Sequence, residues 1–149
     1  MGLLKKILEL ATPQPTYQAP TQDPYEERYF SAMPEIEAMW SVLYNLKIVT
    51  GEKADMFEQK CLQSISDFQC MPSARAQGII EVPAYTRLAM LYEKQERYDE
   101  AIAVCADAIR RGIVYDGSKG QMYGRLARLI RKSGKQVDSD ILKLAGGTK

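Results

Sequence analysis

The chain has 149 residues, enough for one domain with a hydrophobic core and little more. Hydrophobic residues make up 46% and charged residues 26%, which excludes a wholly disordered polymer. The net charge of +1 hides an uneven distribution: residues 1–109 hold ten Lys and Arg against sixteen Asp and Glu, residues 110–149 ten against three, so the last quarter should attract anions.

Residues 3–10 place Leu3, Leu4, Ile7 and Leu8 on one side of two helical turns, with Lys5, Lys6 and Glu9 on the other. So short an amphipathic helix needs a surface to dock on. A membrane, a partner's groove, this chain's own domain and a neighbouring copy all remain open as that surface. Pro13, Pro15, Pro20 and Pro24 then fix φ and remove donors, which predicts an extended linker over residues 11–29, with the domain proper starting near Tyr25 or Pro34. No apolar run approaches the ~20 residues needed to span a bilayer.

The helical domain is expected over residues 30–145. Pro34 suits a first helical turn, and Ile36, Met39, Trp40, Leu43 and Leu46 recur at helical spacing until Thr50-Gly51. A second helix, Lys53 to Cys70, aligns Phe57, Cys61, Ile65 and Phe68, and Pro72 ends it. Residues 73–82 are ambiguous between a short helix and a loop. Pro83 opens a helix bearing Tyr85, Leu88, Ala89, Leu91 and Tyr92. The next runs from Tyr98-Asp99-Glu100, acidic at its start, to Arg110-Arg111-Gly112, basic at its end, the order that the helix dipole and a glycine cap favour. Asp116-Gly117 makes a turn. Another helix, about Lys119 to Lys132, carries Met122, Tyr123, Leu126, Leu129 and Ile130. Val137, Ile141, Leu142 and Leu144 belong to a short last helix, and residues 146–149 form a flexible tail. Nothing alternates with the period of a strand, so the fold class is all-α.

The segment Tyr85-x2-Leu88-Ala89-x2-Tyr92-x8-Ala101-x3-Cys105-x2-Ala108 resembles the tetratricopeptide repeat. Ala89, Ala101 and Ala108 are small where two antiparallel helices would approach closely, and Tyr85, Leu88, Tyr92 and Tyr98 supply bulk around them. Ile113 stands where the family often has proline, and Ala89 where it prefers glycine. A partial repeat opens at Tyr123-x2-Leu126-Ala127-x2-Ile130. In the hairpin of residues 34–70, Trp40 and Leu43 begin the pattern, but Tyr44 stands where a small residue should. The resemblance implies stacked antiparallel hairpins in a right-handed superhelix, the first helix of each pair lining a concave groove.

That geometry assigns Arg87, Met90 and Lys94 to the groove from one hairpin, and Arg125, Arg128 and Lys132 from the next. Some family members grip a peptide's C-terminal carboxylate with Lys, Arg and Asn. Arg125 falls at one such place, but Gln121 stands where a clamp lysine would be and the chain's one asparagine is Asn45, so that activity is not carried over. What remains is a basic groove for an acidic or phosphorylated protein segment, set against a plain solvated charged face.

The chain has no histidine and no CxxC, no GxSxG and no phosphate-loop spacing. Carboxylate pairs such as Glu35/Glu37 and Asp99/Glu100 sit at helix starts, where the dipole accounts for them. No catalytic residue, metal ligand or cofactor is therefore expected. Cys61, Cys70 and Cys105 read as free thiols packed as small core hydrophobes in a reducing compartment, which together with the lack of a spanning segment points to the cytoplasm. The reading is a non-enzymatic adaptor. The alternatives are self-assembly through exposed terminal hairpin faces and nucleic-acid binding by the basic last quarter.

Overall fold

The structure, a computed structural model, describes residues 23–146. The expected N-terminal helix with Leu3, Leu4, Ile7 and Leu8, most of the proline-rich linker, and residues 147–149 of the tail lie outside the described residues. Helices account for all the regular structure among the described residues: α1 (Pro24–Leu46), α2 (Glu52–Cys70), α3 (Ser73–Ala76), α4 (Pro83–Lys94), α5 (Tyr98–Arg110), α6 (Gln121–Ser133) and α7 (Ser139–Ala145). None of them is long and apolar enough to cross a membrane.

Helix α1 starts ten residues before the expected Pro34, so residues 24–29, assigned to the linker, are helical. The reason is local. Asp23 caps the helix, its carboxylate accepting from the backbone N–H of Tyr25 at 2.8 Å and of Glu26 at 3.3 Å. Pro24 takes the first position, where its missing N–H costs nothing, and Glu26 and Glu27 follow in the first turn. Pro34 thus sits inside the helix. The buried residues Tyr29, Ala32, Ile36, Trp40 and Leu43 form one stripe at steps of three and four.

That stripe packs on α2 through Ala54, Phe57, Cys61, Ile65 and Phe68. Two ring pairs tie the hairpin near both ends: Trp40 with Phe57 and Tyr29 with Phe68, each with centroids 5.6 Å apart. Arg28 reaches the buried carboxylate of Asp67 at 3.0 Å, and Lys60 pairs with Glu35. The ambiguous stretch after Pro72 resolves into the single turn α3, held down by Arg75 on the buried carboxylate of Glu26.

Helices α4 and α5 double back on each other, and Ala89, Ala101, Cys105 and Ala108 are all fully buried. Small side chains at these positions bring the two backbones close, with Leu88, Leu91 and Tyr85 filling the space beside them. The Tyr85 hydroxyl donates to Asp107 across the pair. Ile113 is completely buried after the hairpin. The helices follow one another in space in chain order. Helix α4 packs on both α1 and α2, α5 on α4 and α6, and α7 on α6 with a lighter contact to α5.

Candidate functional site

The six groove candidates divide: Arg87, Met90, Lys94 and Lys132 lie on or against α4, whereas Arg125 and Arg128 turn to the loop before α6. Arg87 makes a two-pronged ion pair with Glu37 of α1, 2.8 Å from Nη2 and 3.1 Å from Nε, and stacks over Trp40 at 5.8 Å. Met90 is half-buried beside it, its sulfur 3.5 Å from the Arg87 guanidinium. Lys94 is exposed over the ring of Tyr44, 5.6 Å from its centroid. Lys132 bridges to Glu93 at 2.6 Å, and that contact raises the lysine's pKa from its ordinary value.

Arg125 and Arg128 depart furthest from expectation. Arg125 is buried, its Nε donating at 2.6 Å to Asp116, whose carboxylate is fully enclosed. The other Asp116 oxygen accepts from the N–H and the hydroxyl of Ser118, at 2.8 and 2.7 Å. Burial opposes ionisation of Asp116, but the Ser118 hydrogen bonds and the Arg125 charge outweigh it and hold its pKa below the ordinary 3.8. Arg128 donates to the Lys119 carbonyl at 2.9 Å. Gln121 accepts from the N–H groups of Asp116 and Gly117. Gly124 admits the close approach: a Cβ there would lie 2.5 Å from the Lys119 carbonyl oxygen. Both arginines therefore brace the loop of residues 116–121 against α6, and Arg125 is withdrawn from any groove.

The basic last quarter is also distributed rather than concentrated. Arg111 pairs with Asp107, Arg110 with Asp140, Lys132 with Glu93 and Lys135 with Asp99. Four of its cations thus meet acidic side chains, three on the α4–α5 hairpin and one on α7.

What the structure does bring together is a cleft of about 370 Å³ where the last turns of α1 and α4 meet the loop after α1. Trp40, Leu43, Ile48 and Val49 floor it, and Tyr44, Lys47 and Lys94 stand at its mouth. Lys47 holds a left-handed backbone at φ 57° and ends α1, its N–H returning to the carbonyls of Leu43 and Tyr44. Gln95 fixes the loop by donating to the Val49 carbonyl at 2.7 Å. Tyr44 is 58% exposed although it is a large aromatic. Of the six groove candidates, Lys94 lines this cleft, beside Trp40, Leu43 and Tyr44, which the sequence marked for packing only. The one signal pointing to the others was Tyr44, standing where the repeat pattern asks for a small residue.

Compared with models of protein families, with curated proteins and with solved structures, the chain matches none. The cleft's chemistry has to be read from its own side chains. Two ammonium groups and a phenol rim an indole floor, a set that attracts carboxylates and apolar or aromatic side chains. Cys61 and Cys105 lie elsewhere, fully buried, and burial pushes both thiols up, Cys105 to about 12. Cys70 departs from the core expectation by standing exposed at the end of α2. Among the described residues no group of three or more Cys, Asp or Glu side chains is gathered so as to hold a metal ion.

Proposed function

We propose that this chain is a non-enzymatic interaction module, built of tetratricopeptide-like stacked hairpins, that holds an acidic segment of a partner protein. The partner's carboxylates meet Lys47 and Lys94 and an apolar side chain enters above Trp40. The carrying observation is the cleft itself: an exposed tyrosine and two exposed lysines around a buried indole, on the ridge where α1 and α4 run side by side. Exposed large aromatic side chains are enriched at recognition sites, and the two ammonium groups add the charge that draws an acidic segment. The packing of each helix on its chain neighbours, with Ala89, Ala101 and Ala108 enclosed, supports the stacked-hairpin architecture. Lys132, bridged to Glu93 on α4, extends the surface towards α6, and Arg87 and Met90 extend it towards the start of α4.

The chain's single tryptophan lines the cleft and reports occupancy directly. Titration with an array of acidic peptides should change Trp40 emission for those that bind. The double substitution Lys47→Glu/Lys94→Glu should weaken them about tenfold or more, a loss on the order of 1.4 kcal/mol. Added salt should weaken the parent complex as well. Peptides that bind the charge-reversed protein as tightly as the parent would refute the assignment.

A further inference from the structure

A second feature lies on the first hairpin: a furrow lined by α1 and α2 alone. It begins beside Arg28, Ser31 and Gln63 near the start of α1, continues past the Glu35–Lys60 ion pair, and widens to about 880 Å³ between Met39 and Met56. Val42 and Met56 continue its apolar lining towards Lys53. Val42 is 45% and Met56 58% exposed, a large apolar exposure for neighbouring residues on a packed hairpin. A stack of hairpins leaves such an outer face on its end member, and that face needs a cover.

The chain supplies a matching segment. We propose that residues 3–10 dock in this furrow, with Leu3, Leu4, Ile7 and Leu8 lying between Met39, Val42 and Met56. Three observations carry this. The first is reach. Val42 lies eighteen residues beyond Pro24, ~27 Å along the helix, while residues 11–22 span up to ~37 Å as a proline-rich chain. The second is continuity, because the furrow starts at the end of α1 to which residue 22 is joined. The third is charge: exposed Asp55 and Lys53 stand on the rim, suited to Lys5 or Lys6 and to Glu9. Methionine side chains adapt to an incoming apolar face at little cost in strain. A tether of this length gives an effective concentration on the order of millimolar, which favours the chain's own segment over a second copy.

The test is paramagnetic broadening in the full chain. A nitroxide is placed on Lys5→Cys in a Cys70→Ser background, with methionine methyl groups isotope-labelled. Docking predicts loss of the Met39 and Met56 methyl signals in dilute solution, with the buried Met122 signal retained as a check on folding. Adding Leu4→Asp and Ile7→Asp to the spin-labelled chain should restore both signals. Retention of both signals in the parent sequence would overturn the proposal. So would broadening seen only when spin-labelled chains are mixed with isotope-labelled ones, which would assign the furrow to a second copy. So would broadening that requires anionic vesicles, which would assign residues 3–10 to a membrane surface.

Discussion

At the scale of single residues, the most consequential contact is the one between Arg125 and Asp116. Both groups are taken out of water, so their mutual attraction must offset desolvation, and the Ser118 donors help it do so. Asp116→Asn leaves the arginine buried without its counter-charge. It should lower stability by about 3 kcal/mol at neutral pH, measured by urea denaturation. The sign of the pH effect follows from the depressed folded-state pKa. The contribution of Asp116 is complete above the ordinary 3.8 and is lost as pH falls through the lower folded value. The parent should therefore lose its advantage over Asp116→Asn as the solution is acidified below that point. A gap between the two proteins that stays constant down to strongly acid pH would remove the pair from this role.

At the scale of elements, α1 contains a proline at a position that helix formation alone would not choose. Pro34 removes the hydrogen bond to the carbonyl of Phe30 and crowds that turn, yet the helix continues for twelve more residues because its buried stripe is anchored on α2. Pro34 is exposed, so its removal disturbs no packing. Pro34→Ala should raise stability by about 1–3 kcal/mol, read as a higher thermal midpoint, with unchanged helical content. A lower midpoint would mean that Pro34 itself favours the packing of α1 on α2.

At the scale of the whole molecule, the central hairpin α4–α5 is covered on both sides, whereas α7 has no buried residue and touches chiefly α6. Stability in such an arrangement is a sum of local and nearest-neighbour terms. Amide exchange should therefore be slowest in α4 and α5 and fastest in α7, with α6 between them. Exchange of all helices at one common rate would instead indicate a bundle that opens as a unit.

Much of this was legible from residue order. Apolar side chains at steps of three and four mark each helix, because an α-helix can bury only such a stripe. Alanines in residues 89–108 mark the close hairpin, because only small side chains let two backbones approach. Glycines and prolines placed most of the ends. The start of α1 was misread because a proline can open a helix or be tolerated inside one, and packing on α2 chose the second. The destination of each charge was decided by the tertiary structure. Arg125 and Lys94 look alike in the sequence as cations on an amphipathic helix, and only the loop of residues 116–121 folding over one of them, and Tyr44 standing under the other, makes the first a buried brace and the second the rim of a cleft. Periodicity records which face of a helix is apolar; it does not record which partner, nine or fifty residues away, will stand opposite a charge.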